Sequence, residues 1–493
     1  PGPEQEGMAK RSWRNFDYLL LATLLLLAAY GVIMIYSATI DTQGIESPVQ
    51  RQIIYVIAGT VLLLATASID YRLLEIVQHP MAVLTPLVLS LASMGLIISW
   101  RSQQLGLSEG ELTTAHFVPE LPVFLLGIVL VIAVFVLDRT WIEELDLVLV
   151  RFVLVVGVVG VAAIGAFFLL RRPDLTPYLL VGGLAVAYLL DCLLLRFTDM
   201  LRNPLYVAML LILGIILVIG QVAGGSQRWL GAGAVQPSEL AKILVIITLA
   251  KFLSDHEEEL EKFTTVLVSL VVVALPMLLI YLQPDLGTAL TLVAVWAAMT
   301  WMAGIRFRHL LLLAATTLAA LPLLWLNLKD YMRDRLVVFI NPTSDPDSYF
   351  NVYQSLVSIG SGGWTGKGLT QGTQSQLHFL RVRHTDFIFA VTAEELGLLG
   401  ALAMMGLLFL ILWRMLRVAG RARDTFGRLL VAGVAAVILF QTAVNIGMNL
   451  GLMPVTGIPL PFVSYGGSSF LTLMLGIGLA ESVAMRQRKL EFD

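Results

Sequence analysis

A chain of 493 residues that is 58% hydrophobic and 14% charged, with a mean hydropathy of +0.84, excludes an ordinary soluble globular protein and reads as a polytopic helical membrane protein. The formal net charge of −3 says little, because in a membrane the placement of Lys and Arg matters more than their sum, and nothing suggests a nucleic-acid partner. The single cysteine, Cys192, excludes an intrachain disulfide and reads as a small buried hydrophobe.

In chain order, residues 1–7 (PGPEQEG) read as an expression remnant ahead of Met8, and residues 1–12 as that remnant plus a cytoplasmic N-terminus. Lys10, Arg11 and Arg14 precede an apolar stretch from about residue 16 to 37, too long for a signal-peptide core. Runs of ~17–25 apolar residues predict about fourteen transmembrane helices. These start near residues 16, 52, 80, 121, 152, 178, 204, 237, 264, 285, 309, 387, 429 and 467. With an even number of spans, the basic clusters at Lys10/Arg11/Arg14, Arg306/Arg308, Arg414–Arg428 and Arg486/Arg488/Lys489 share one side, which makes both termini cytoplasmic. Arg171 and Arg172 fall on the outer side and count against this assignment.

The same topology puts the long polar segment, about 329–385, on the outer face before the twelfth span. It holds NPTSDPDSYF, the helically spaced VYQSLVSIGSGGW and the glycine-rich GKGLTQGTQSQLHFLRVRHTD, a composition that suits a structured loop. Chemistry there proceeds outside the cytoplasm, without ATP.

Polar groups inside the spans are costly and normally face a cavity or one another. The eighth span opens with VQPSELAKI, where Glu239 and Lys242 lie three apart and can pair. The tenth opens after LQPD at Asp285, and in both places Gln-Pro precedes a helix start able to hold an anion. Gln441, Asn445 and Asn449 form a stripe that must face the bundle. Asp386 and Glu394 fall on nearly one face of the twelfth span, about 12 Å apart along its axis. A polar cavity open to the outer leaflet accounts for all of these. The blander reading makes them interhelical hydrogen bonds and caps, with Thr385 or Asp386 as the helix N-cap. Arg383 and His384 beside Asp386 favour function, since a cap needs no neighbouring cations. Further on, LMPVTGIPLPFVSYGGSSF reads either as a broken or re-entrant segment touching substrate or as small residues for close packing.

Four of these stretches, WLGAGAVQPSELAKI, QPDLGTAL, GTQSQLHFLRVRHTDFIFAVTAEELG and GIPLPFVSYGGSS, together resemble the SEDS family (shape, elongation, division and sporulation), in wording nearer its rod-shape branch than its division branch. The resemblance covers about residues 13–72 and 201–488, with 489–493 a cytoplasmic tail. There are two departures. The family has ten spans, so residues 73–200 read as an insertion of about four more, and Arg381 stands where relatives carry proline.

The resemblance implies a peptidoglycan glycosyltransferase that polymerises lipid II, an undecaprenyl-pyrophosphate disaccharide pentapeptide, with inversion at the outer face of the bacterial cytoplasmic membrane. Asp386 is then the general base, or the ligand of a divalent cation, Mg²⁺ or Mn²⁺, for which the sequence shows no dedicated cage. Lys242, oriented by Glu239, leads the candidates for the pyrophosphate, followed by Arg51, Arg228, Arg335, Arg383 and His384. Gln236, Asp285, Ser464 and Ser468 complete the expected substrate contacts. The implied partner is a class B penicillin-binding protein, since no transpeptidase serine motif stands in this chain. A flippase or transporter of the lipid-linked precursor, and a non-catalytic scaffold, are the rival readings.

Overall fold

A computed structural model describes residues 13–40, 48–77, 203–219, 221–223, 226–229, 236–327, 329–380 and 382–487. The spans expected near 80, 121, 152 and 178 lie outside the described residues, as do Arg171, Arg172 and Cys192. The chain divides into two units, residues 1–75 with 212–493, and residues 76–211.

Helix α1 covers Tyr18–Thr39, α2 Pro48–Ser68 and α3 Arg72–Val77. After the undescribed stretch come α4 (Pro204–Ile219), α5 (Pro237–Asp255), α6 (Phe263–Leu282), α7 (Leu286–Met302) and α8 (Phe307–Asn327). The polar segment contains α9 (Asp330–Ile340), α10 (Pro346–Ser361) and the short α11 (Thr373–Gln376). The chain closes with α12 (Ile388–Gly420), α13 (Thr425–Asn449) and α14 (Gly467–Met485). The remaining expected span starts fall within a few residues of helix starts. Among the described residues six helices, α1, α2, α6, α12, α13 and α14, are long and apolar enough to cross a membrane. The protein is a polytopic helical membrane protein, and the count of fourteen rests on the sequence alone.

The all-α expectation needs one correction. Gln221–Ala223 (β1) and Ser226–Trp229 (β2) pair antiparallel, with Val222 opposite Gln227 and Ala223 opposite Ser226. Gly224-Gly225 between them is a two-residue hairpin signal that the surrounding apolar runs overshadow.

Helix starts follow local chemistry. Asp17, Asp285 and Asp424 each accept a backbone N–H of the first turn, from Leu20 (3.0 Å), Thr288 (3.1 Å) and Gly427 (2.7 Å). Pro237 opens α5 at a position where no amide is needed. Helix α13 is buried along most of its length and forms the centre of the bundle. Helices α2 and α14 approach closely through glycine: a Cβ at Gly59 would strike Met474 and Phe470, and one at Gly467 would strike Tyr55.

Ion pairs close one end of the bundle. Arg414 meets Asp17 at 2.6 Å, Arg72 meets Asp424 at 3.1 Å and Arg486 meets Asp70 at 3.2 Å. This end carries Arg414, Arg428 and Arg486 of the basic clusters. The opposite end gathers the starts of α5, α7, α12 and α14 with the end of α13, and there the expected site residues lie.

Candidate active site

Asp386 stands two residues before α12 and is half-buried. Its carbonyl accepts from Asn445 Nδ2 and Asn449 Nδ2, each at 3.0 Å. The Thr385 carbonyl accepts from Ser464 Oγ (2.6 Å), and the His384 carbonyl from the Tyr465 amide (2.9 Å). Three consecutive carbonyls are therefore fastened to α13 and to the irregular 450–466 segment. The N-cap residue of α12 is Phe387, so neither Thr385 nor Asp386 is the cap of the blander reading. The stripe on α13 faces inward as expected, with Gln441, Asn445 and Asn449 all buried.

The 450–466 segment explains how irregular backbone survives at this depth. Ile458, Leu460, Phe462 and Val463 are buried, Asn445 donates to the Ile458 carbonyl (2.8 Å), and Ser464 accepts from the Leu460 amide (2.8 Å). Gly457, at φ 73°, faces the Asp386 carboxylate: a Cβ there would lie 3.8 Å from Oδ2. Glycine thus keeps a bulky side chain away from the carboxylate. Gln441 Oε1 and Thr456 Oγ1 are buried without a protein partner, the pattern of groups that hold ordered water.

Asn449 also accepts from the Ala390 amide (3.3 Å), and its own carbonyl accepts from Ser355 Oγ (2.9 Å). Asn449→Leu is expected to lower stability by about 2 kcal/mol through unpaired buried groups. A drop in the melting temperature of the purified protein checks this.

Glu394 does not share a cavity with Asp386. It is fully buried and accepts from Lys367 Nζ (2.8 Å), Thr373 Oγ1 (3.1 Å) and the amides of Gln374 (3.0 Å) and Ser375 (3.3 Å). Glu395 accepts from Ser37 Oγ and from the Thr370 amide (3.3 Å). These two carboxylates organise the loop that precedes α12, and Lys367 is the missed partner of Glu394.

Helix α12 leaves helical geometry at Gly397 (φ 66°). The loop takes up the groups this break releases. Leu398 and Leu399 donate to the carbonyls of Gly363 (2.8 Å) and Trp364 (3.1 Å), while the carbonyls of Glu394 and Glu395 accept from Lys367 (3.0 Å) and Gly368 (2.9 Å).

Arg383 is also turned into the fold, which corrects its assignment to the pyrophosphate. It is buried and donates to the carbonyls of Ala38 and Ser375, tying the loop to the end of α1. His384 packs edge-on against Tyr465 at 5.7 Å between ring centres. Burial, with the Arg383 charge second, holds its pKa below the ordinary 6.5, so at neutral pH it is an uncharged imidazole rather than the expected cation. Because folding depresses this pKa, its contribution to stability is complete above pH 6.5 and is lost as pH falls through the folded value. In His384→Gln the melting temperature should fall less on acidification than in the parent, as paired pH–melting series would show.

A second polar group joins the starts of α5, α7 and α14. Gln236 donates through Nε2 to Asp285 Oδ2 (2.9 Å) and to Ser238 Oγ (3.0 Å), and its amide donates to Ser468 Oγ (3.1 Å). Asp285 also accepts from Thr288 Oγ1 (3.0 Å). The structure brings Gln236, Asp285 and Ser468 together. Further along α5, Lys242 and Glu239 pair at 2.8 Å, both buried, with Lys242 only 1% exposed. The pairing read from their spacing is present, but in this conformation Lys242 is closed to a diphosphate. Arg51 is exposed one turn before Tyr55, whose ring packs where α14 begins. Arg335 lines a cavity of about 320 Å³ with Tyr349, Val352, Met453 and Pro454. Arg228 lies in β2. Among the described residues no group of three His, Cys, Asp or Glu side chains could hold a metal ion.

The sequence model of the FtsW/RodA/SpoVE family, described as cell cycle protein, matches residues 146–489. That match begins inside the stretch read as an insertion. Peptidoglycan glycosyltransferase MrdB of Escherichia coli (strain K12) is 41% identical over 290 residues, 58% of this chain and 78% of that protein. Probable peptidoglycan glycosyltransferase FtsW of Geobacter metallireducens is 36% identical over 328 residues, 65% of this chain and 86% of that protein. Among solved structures, a mutant of the rod shape determining protein RodA of Thermus thermophilus shares the fold, with a TM-score of 0.52 at 21% identity, covering 97% of this chain and 100% of that one.

Proposed function

The chain belongs to the FtsW/RodA/SpoVE family and is a peptidoglycan glycosyltransferase of the bacterial inner membrane, and from that premise we propose that Asp386 is the general base with which it polymerises lipid II during cell elongation. The observation that carries this reading is the fixing of the three carbonyls from His384 to Asp386, with Gly457 keeping the space beside the carboxylate open.

In this mechanism the acceptor GlcNAc 4-hydroxyl approaches Asp386, which takes its proton as the oxygen bonds to the MurNAc anomeric carbon of a second lipid II. The undecaprenyl pyrophosphate leaves from the opposite face, so configuration inverts. A sugar hydroxyl is a weak acid, and a carboxylate helps as the new bond forms and oxygen loses its proton. A base held rigidly at the right distance supplies much of the advantage by orientation. Asp386 offers one carboxylate, so a hard cation such as Mg²⁺ or Mn²⁺ at this point would take its other oxygens from the substrate diphosphate and water.

With Lys242 enclosed, the exposed Arg51 and Arg335 take the role of meeting the diphosphate. The reaction faces the outside of the membrane, and its product requires crosslinking by a separate transpeptidase, a class B penicillin-binding protein. The test is synthesis of glycan chains from fluorescent lipid II by the purified protein, with and without a chelator. Chains in the chelator-free reaction are expected, and their absence from folded protein would overturn the polymerase reading.

A further inference from the structure

At the end of the bundle opposite Asp386, a cavity of about 230 Å³ opens between the start of α1 and the ends of α12 and α14. Its lining includes Asn15, Asp17, Arg414, Arg417, Arg421 and Gln487. We propose that this cavity binds the phosphate of an anionic phospholipid of the inner leaflet.

Charge supports this first. Arg414 and Arg417 lie three apart on the last turns of α12 and Arg421 is its C-cap residue, and all three line the cavity. Arg414 is spent on the floor: its Nε lies 2.7 Å from Asp17 Oδ2, and the Asp17 amide in turn donates to Glu481 (3.0 Å). Arg417 and Arg421 have no carboxylate partner among the described residues. Arg417 is held over the Trp413 ring at 4.1 Å, which orients its fork without neutralising it. Two guanidinium groups with the amide of Asn15 match a phosphodiester's charge and acceptors, while Gln487 Nε2 donates to the Val418 carbonyl (3.4 Å) at the edge.

The surroundings identify the source of that phosphate. Tyr18 and Leu19 line the cavity and are exposed by 62% and 48%, Leu416 beside Arg417 is exposed by 55%, and the exposed rings of Trp13 and Trp413 pack against the lining residues Phe16 and Arg417. In water this apolar skirt would be costly. Against a bilayer it places aromatic rings at headgroup level and leucines among acyl chains, the arrangement of an interfacial lipid site. The site also lies at the end bearing Arg414, Arg428 and Arg486, and basic recesses between helices hold acidic headgroups. A soluble anion would use the arginines alone.

The experiment is native mass spectrometry of the full chain with phosphatidylglycerol, with phosphatidylethanolamine, and with glycerol phosphate as a soluble competitor. Phosphatidylglycerol should be retained over the zwitterionic lipid and resist the competitor. In Arg417→Gln/Arg421→Gln its retention should weaken about thirtyfold, taking each basic residue near the surface at its usual contribution. If the double variant does not fold, each single variant, weakened about fivefold, makes the same comparison. Equal retention of both lipids, unchanged retention in the variants, or displacement by glycerol phosphate would each overturn the assignment.

Discussion

Asp386→Asn is expected to abolish glycan polymerisation while leaving the protein folded. The substitution is nearly isosteric, and asparagine keeps the bonds that fasten the carbonyls of residues 384–386. The amide cannot accept the acceptor hydroxyl proton. Loss of general-base help alone costs about 10²–10⁴ in rate. Removal of a cation ligand would add to this. Melting temperature should therefore match the parent while the lipid II gel shows no chains. Full-length ladders from the variant would sink the base assignment and leave the family membership untouched.

Lys242→Met should have the next largest effect, and first on stability. The sequence alone suggests a cation for the diphosphate, but the enclosed pair with Glu239 changes the expectation. Removing one member leaves a buried carboxylate unanswered, at a cost of about 3–5 kcal/mol. Glu239→Gln combined with Lys242→Met removes both charges and should recover most of the melting temperature. Polymerisation by the double variant then separates the roles: activity restored with stability marks a structural pair. A Lys242→Met protein that melts like the parent yet makes no glycan would return Lys242 to the substrate.

The spans are legible because a bilayer imposes a length on apolar runs, so the helices from α4 to α8 start within a few residues of where composition places them. The Glu239–Lys242 pair is legible for a similar reason, since three residues along a helix is a contact by geometry. What the sequence hides is tertiary. Glu394 looks like a second site carboxylate until Lys367 and the amides of residues 374 and 375 are seen around it. Arg383 advertises a free cation, yet its acceptor is a carbonyl at the far end of α1. The break at Gly397 is invisible in an apolar run because glycine is common in membrane helices. The β-hairpin is missed because its strands are too short to develop an alternating pattern. Asn445 and Asn449 are legible as inward-facing, but not as the residues that grip Asp386.

The junction at Gly397 constrains how this protein can be re-engineered. Gly366 and Gly397 both have positive φ, and a side chain on either would run into the backbone of the other segment. Residues 363–368 therefore belong to the architecture of α12, although they precede it by a whole loop. A chimera that grafts a foreign segment between α8 and α12 has to leave this seam intact or import both glycines together, with its joints placed before residue 362 and after residue 376.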